Sequence, residues 1–82
     1  MLKLINLKMN ENIIEADYIP EQSKEKAHIS LNTLTDEFKS EEIKGYGSMY
    51  QRMALNGLKR TLEELANGKI FDVPKDRIVM WY

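Results

Sequence analysis

The chain has 82 residues, of which 43% are hydrophobic and 30% are charged, and its formal net charge at pH 7 is −1. This length and composition predict a single domain over residues 1–82 and exclude a disordered or fibrous chain. The sequence contains no cysteine and one histidine, which excludes a disulfide scaffold, a thiol nucleophile and a metal site built from two histidines.

The chain shows no apolar segment that predicts a membrane span. Its longest apolar run, residues 78–82, is far shorter than the ~20 residues needed to cross a bilayer. Residues 1–8 lack the apolar core and the small-residue cleavage site of a signal peptide. We therefore expect a cytoplasmic protein that does not act at a membrane.

The first strand is predicted within residues 1–9, where apolar and polar positions alternate. Leu2 and Leu4 have the opposite parity to Ile5 and the apolar residues after it, so we expect either a bulge near Leu4 and Ile5 or a strand with two apolar sides there. Residues 10–12, Asn-Glu-Asn, predict a turn because asparagine tolerates positive φ angles.

Two further strands follow from cleaner alternation. Ile14, Ala16 and Tyr18 alternate with acidic residues up to Pro20, which ends the second strand. After a polar loop, every second residue of segment 27–32 is apolar, which predicts the third strand. Residues 37–43 alternate poorly and leave open whether a fourth strand exists.

A long helix follows the strands. Ser48 and Gln51 form a Ser-x-x-Gln capping box at its start, and Gly68 supplies the left-handed residue that ends it. At 100° per residue, one apolar face is predicted to lie on the sheet. This face comprises Tyr50, Ala54, Leu55, Leu58, Leu62, Leu65 and Ala66.

Residues 77–82 predict a final strand after the helix. The order of elements predicts an α+β two-layer domain, with one helix packed on a small, antiparallel-rich sheet made of a meander of three or four strands and the C-terminal strand. If residues 37–43 form a strand, the last strand can pair antiparallel beside the first. If they do not, it would lie parallel to the first, and both arrangements stay open.

The residues do not favour catalysis. Glu15 and Asp17 should share one face of a strand, and Asp17 could face His28 on the neighbouring strand. A carboxylate and an imidazole in contact can act as a general acid–base pair. No nucleophile or metal motif accompanies them, so we expect an exposed cross-strand pair and no enzyme activity, catalytic residue, metal or cofactor.

One candidate interaction surface lies on the helix, away from its leucine face. It comprises Met49, Met53, Gly57 and Arg60. Methionine adapts to many contact partners, and glycine inside a helix costs about 1 kcal/mol against alanine unless something approaches closely. We predict that this ridge touches a partner protein, for example a second copy of the chain, or is covered by the chain's own loop at residues 69–74.

Trp81 is a further candidate for the same interaction surface. The final strand is apolar on both faces, with Ile78 and Met80 on one and Val79 and Trp81 on the other. A strand of this kind is usually covered on both sides, whereas a single helix covers one. Trp81 is therefore expected to fold over a sheet edge, to fill a gap under a loop, or to lie in an interface, where tryptophan and methionine are enriched.

The charge is unevenly distributed along the chain. Residues 1–43 carry five lysines and nine acidic residues, a net −4, and residues 44–82 carry seven basic and four acidic residues, a net +3. The candidate basic patch comprises Lys44, Arg52, Lys59 and Arg60. A small nucleic-acid-associated regulator is therefore the alternative function, although nearby glutamates dilute the patch and do not favour nucleic-acid binding.

Three segments carry a resemblance to other proteins: Ala16-Asp17-Tyr18-Ile19-Pro20, His28-Ile29-Ser30-Leu31 and Arg77-Ile78-Val79-Met80-Trp81-Tyr82. In them the chain resembles short uncharacterised proteins of Gram-positive bacteria, their prophages and integrated elements. The resemblance implies a small accessory protein encoded on mobile DNA, and it brings no activity, cofactor or site residue. Together with the residues above, it leads us to expect a non-enzymatic protein-interaction module.

Overall fold

The computed structural model describes residues 1–80. Its elements, in chain order, are β1 (Leu2–Asn10), β2 (Ile13–Pro20), β3 (Ala27–Asn32), β4 (Phe38–Ser40), α1 (Ser48–Ala66) and β5 (Arg77–Val79). The strands form one antiparallel sheet in the order β4-β3-β2-β1-β5, and α1 packs on one of its faces. The predicted α+β two-layer fold is confirmed, and the last strand lies antiparallel beside the first.

The core fills the space between the sheet and α1. It contains Leu2, Leu4, Leu7, Ile14, Ala16, Tyr18, Ala27, Ile29, Leu31, Ile43, Ala54 and Leu58. The alternation predicted for β2 and β3 is confirmed, because every second residue of each strand points to the helix side. The opposite face of the sheet carries no helix among the described residues.

A bulge in β1 brings its three leucines to the same side of the sheet. The pairing of β1 with β2 shifts between Ile5 and Lys8, and Asn6 has a φ of 52°. The predicted bulge near Leu4 and Ile5 is therefore confirmed, and it begins directly after Ile5. The shift occurs at Asn6 because asparagine adopts left-handed angles more readily than leucine or isoleucine. It places Leu7 on the helix side with Leu2 and Leu4, all three of which are buried.

The fourth strand is shorter than segment 37–43. Only Phe38–Ser40 forms β4, and the carbonyl oxygen of Glu41 then accepts a hydrogen bond from the Tyr18 hydroxyl at 2.5 Å. The Nε2 group of Gln51 donates to the same oxygen at 3.3 Å. Because side chains satisfy this carbonyl, the backbone can leave the sheet.

The predicted capping box at the start of α1 is wrong. The N-cap is Gly47, with no side-chain cap hydrogen bond, and Ser48 is the first helical residue. Gln51 cannot complete the box because its amide donates to Glu41 instead. The helix end is confirmed, since Gly68 has a φ of 73° and its N–H donates to the Leu65 carbonyl.

The buried stripe of α1 is rotated relative to the predicted face. Ala54, Gly57, Leu58 and Thr61 are its buried residues, whereas Ala66 is exposed. The rotation follows from close packing at Gly57. A Cβ atom built there would lie 2.7 Å from Cγ2 of Val79, so only glycine allows α1 to approach the sheet this closely.

Candidate functional site

A groove of about 310 Å³ lies between α1 and β5. It is lined by Met53, Asn56, Gly57, Arg60, Arg77, Ile78, Val79 and Met80. Three of the predicted interaction residues, Met53, Gly57 and Arg60, therefore lie together in one concave surface. Met49, one turn earlier on α1, is exposed, and Trp81 lies outside the described residues.

Gly57 does not occupy the position predicted for it. It is buried against Leu4 of β1 and Val79 of β5, not against residues 69–74, in which Phe71 is fully exposed. Within the chain, the close contact that this glycine allows is therefore with the sheet and not with residues 69–74. Its role is to bring α1 close to the sheet, and this close approach places Met53, half-buried against the core, beside β5.

Arg77 ties β5 to the helix. Its Nη1 donates to Oγ1 of Thr61 at 2.7 Å and to Oε1 of Glu64 at 2.8 Å, and its Nη2 donates to Oε2 of Glu64 at 3.4 Å. The hydroxyl of Thr61 in turn donates to the carbonyl of Gly57 at 2.9 Å. The sequence alone does not predict this network, because Arg77 reaches Thr61 and Glu64 only when β5 lies beside α1, and the sequence does not determine the position of β5.

The Arg77–Glu64 pair predicts a pH dependence of stability. Hydrogen bonds from Arg77 hold the pKa of Glu64 below its ordinary value of 4.5. A carboxyl whose pKa is lower in the folded state stabilises the fold above the unfolded-state pKa, and this contribution is lost as the pH falls through the folded-state pKa. In urea titrations from about pH 6 to about pH 3, we expect Glu64→Gln to be less stable than the wild type at the upper end and the difference to shrink towards the lower end.

Glu63→Gln is the matched control, since Glu63 is exposed and adjacent in sequence. We expect it to leave the wild-type pH profile nearly unchanged. A stability deficit of Glu64→Gln that stays constant across the whole range would contradict the proposed linkage.

The two edges of the sheet differ in character. At the β4 edge, exposed Phe38 lies among charged residues: Lys39 follows it, and Glu37 and Glu41 flank the strand. Charged residues of this kind discourage the pairing of further strands. At the β5 edge, Ile78 and Met80 are 59% and 54% exposed, and Arg77 is turned towards α1. The apolar β5 edge is the one that lies beside the groove.

The predicted contact between Asp17 and His28 is confirmed on the open face of the sheet. Oδ1 of Asp17 lies 2.9 Å from Nδ1 of His28, and the Asn6 amide donates to Oδ2 of Asp17 at 3.1 Å. Burial acts to raise the pKa of Asp17, but the hydrogen bonds from His28 and Asn6 outweigh it, with a further contribution from Lys26. They hold this pKa below its ordinary value of 3.8.

The surroundings of this pair are ionic. Nε2 of His28 lies 3.4 Å from Oε1 of Glu15, and the same oxygen lies 3.8 Å from Nζ of Lys8. Among residues 1–80, no group of three or more histidine and acidic side chains is placed to hold a metal ion. The arrangement is that of a cross-strand ion-pair cluster on a half-exposed surface.

The residues of the candidate basic patch come from two parts of the chain, Arg52, Lys59 and Arg60 from α1 and Lys44 from the loop before it. Lys44, Arg52, Lys59 and Arg60 are all exposed, but Arg60 borders the groove and Lys44 lies in the loop before α1. Exposed Glu63 lies one turn from Lys59 on the helix. This charge is more dispersed than the concentrated basic stripe typical of a duplex-binding protein.

The fold and the groove define a small open-sheet α+β domain with an apolar edge strand beside its helix. No family model matches the chain, and no curated protein or solved structure matches it. Within residues 1–80, no helix combines the length and the apolar character needed to cross a bilayer.

Proposed function

We propose that the protein is a small non-enzymatic protein-interaction module and that the groove between α1 and β5 is its binding surface. The observation that carries this proposal is the exposure of Ile78 and Met80 at a sheet edge directly beside Met53 and the groove. Burying such side chains against a partner is favourable by roughly 25 cal/mol per Å² of apolar surface. Methionine adds contacts that adapt to the shape of the partner.

The contrast between the two sheet edges supports this choice of surface. Charged residues accompany β4, as is usual at edges that do not bind other chains. An apolar edge is a liability for a free protein unless a partner covers it. By comparison, the side chains around Asp17 and His28 already contact one another on the open face of the sheet, and these contacts support a structural role for the cluster.

Capture from a lysate of the source cells tests the proposal. The wild type, carrying an N-terminal tag, is expected to retain a specific protein after nuclease treatment. Met53→Glu and Ile78→Lys should each lower recovery at least about tenfold, which corresponds to about 1.4 kcal/mol, because each places a charge where the partner buries apolar surface. Circular dichroism and thermal melting establish that both variants remain folded.

Phe38→Lys is the matched control, since Phe38 is an exposed apolar residue at the opposite edge of the sheet. It should capture as much partner as the wild type. Equal recovery by all four proteins would contradict the proposed surface. Recovery that disappears with nuclease would instead support the nucleic-acid-associated regulator, with Arg52 and Lys59 as the next residues to test.

A further inference from the structure

Two Asn-Gly dipeptides lie in or beside α1. They are Asn56-Gly57, inside the helix, and Asn67-Gly68, directly after its last residue. Glycine has no side chain to shield its main-chain nitrogen, and it allows the chain to rotate freely. This nitrogen can therefore reach the side-chain amide of the preceding asparagine and close a succinimide ring. Every other asparagine of the chain precedes a residue that carries a side chain.

The fold restrains the first dipeptide, Asn56-Gly57. Gly57 is buried, and a Cβ atom built there would lie 2.7 Å from Cγ2 of Val79 and 2.9 Å from Cδ1 of Leu4. Inside a helix, the main-chain N–H of each residue donates to the carbonyl four residues earlier. Ring closure would break this bond and turn the peptide group against the sheet. At Asn56 the reaction therefore requires that the helix first open locally, which costs free energy.

The second dipeptide, Asn67-Gly68, lies where the helix has ended. Both residues are exposed, and no heavy atom beyond the two chain neighbours of Gly68 lies within 4 Å of a Cβ atom built on it. The Gly68 N–H donates a long hydrogen bond, 3.3 Å, to the carbonyl of Leu65. Ring closure there disturbs only the turn that follows α1 and meets no buried side chain.

We propose that Asn67 is a site of spontaneous deamidation and that the fold protects Asn56 from the same reaction. The main-chain nitrogen of Gly68 gives up its proton and forms a bond to Cγ of Asn67. The bond from Cγ to the side-chain nitrogen breaks, and this nitrogen takes up the proton and leaves as ammonia. Water then opens the succinimide ring at either carbonyl, which leaves an aspartate or an isoaspartate whose new carboxyl group ionises.

The product is unfavourable at the place where it forms. The C-terminal end of a helix carries a partial negative charge, which disfavours a carboxylate there. Exposed Glu63 lies one turn earlier and adds a like charge. In the isoaspartate form the main chain also gains one atom, which displaces the following N–H groups from the carbonyls of Glu64 and Leu65. We therefore expect deamidation to weaken the end of α1.

Incubation of the folded wild type at mildly alkaline pH tests the inference, because the attacking nitrogen loses its proton more readily there. Cleavage after lysine and arginine then places the two asparagines in separate peptides, residues 53–59 and 61–69. Mass spectrometry measures the mass increase in each peptide as the side-chain NH2 is replaced by OH, against a sample digested without incubation. We expect Asn67 to react at least about tenfold faster than Asn56, which corresponds to at least about 1.4 kcal/mol of protection.

The same incubation in concentrated urea is the matched control. Once the chain is unfolded, the helix no longer protects Asn56, and we expect the two asparagines to react at similar rates. Asn67→Gln removes the site, because the longer side chain of glutamine closes a ring less readily. On incubation, this variant should keep its melting temperature, whereas that of the wild type should fall as the modified fraction grows.

Several results would overturn the inference. Equal rates at the two asparagines of the folded protein would show that α1 does not protect Asn56. An unreacted Asn67 in the folded protein, with both sites reacting in urea, would show that the turn after α1 protects it as well. A preference for Asn67 that persists unchanged in urea would assign the difference to neighbouring residues in the sequence and not to the fold. A wild type that loses no stability as Asn67 reacts would contradict the weakening of the helix end.

Discussion

Gly57→Leu is expected to lower the melting temperature by roughly 8–16 °C. Even a Cβ atom at this position would lie 2.7 Å from Cγ2 of Val79 and 2.9 Å from Cδ1 of Leu4. Overpacking a tightly packed core costs about 3 kcal/mol, of which the better helix propensity of leucine returns about 1 kcal/mol. For a domain of this size, each remaining kcal/mol corresponds to about 4–8 °C.

Ala66→Leu is the control for this substitution. It adds a leucine to the same helix at an exposed position, and we expect a change within about 0.5 kcal/mol. Thermal melting followed by circular dichroism measures both variants. If Gly57→Leu melts like the wild type, then the close contact of α1 with β1 and β5 is not required for stability.

Leu4→Ala is expected to lower the free energy of unfolding by about 3 kcal/mol. The Leu4 side chain is fully buried beneath α1, and truncations of this kind leave a cavity that costs about 2–5 kcal/mol. Urea titration at neutral pH measures the loss. The effect is large for a domain of this size, because native proteins are stable by only about 5–15 kcal/mol in total.

Leu34→Ala is the matched control, because Leu34 is 74% exposed in the turn between β3 and β4. It should change stability by less than about 0.5 kcal/mol. A second check uses Gly57→Leu combined with Leu4→Ala. Because the two side chains compete for the same space, the double variant should be more stable than the sum of the two single losses predicts. Strict additivity would contradict the contact.

The sheet was predictable from the sequence wherever apolar residues alternate without interruption. The alternation in β2 and β3 directly identifies the residues that face the helix, including Tyr18 and Ile29. In β1 the change of parity predicts a bulge near Leu4 and Ile5, but it does not identify the residue at which the pairing shifts. The reason is local: the parity change shows that a bulge exists, but the tolerance of Asn6 for positive φ decides where it occurs.

The helix was predictable in extent but not in orientation. The glycine after the helix, Gly68, locates its C-terminal end. The N-terminal end is ambiguous in the sequence, because both Ser48 and the preceding glycine, Gly47, can occupy the N-cap position. Counting leucines gave a face that omitted Gly57 and Thr61, both of which are buried. Two elements can approach most closely at a small residue such as Gly57, and a prediction based on hydrophobicity alone does not identify such a residue as buried.

The sequence predicts only some of the residues of the candidate site. Met53 and Gly57 stand out because they are unusual on a helix. On the final strand, which is apolar on both faces, the sequence favours Trp81, whereas Ile78 and Met80 line the groove with Met53 and Gly57. Their juxtaposition required the position of β5 beside β1, which depended on whether β4 exists. The contact of Arg77 with Thr61 and Glu64 also depends on the position of β5 beside β1.

Amide hydrogen exchange of Ile78, followed by NMR, tests the central claim most directly. Because Ile78 lies between two residues whose main-chain groups pair with β1, its own N–H points away from the sheet. It should exchange rapidly in the free protein and become protected when the partner captured from lysate is bound. The amide of Phe38, which points outward at the β4 edge, should be unaffected. An Ile78 amide that is already protected in the free protein, or that exchanges equally fast with and without the bound partner, would contradict a binding surface at the β5 edge.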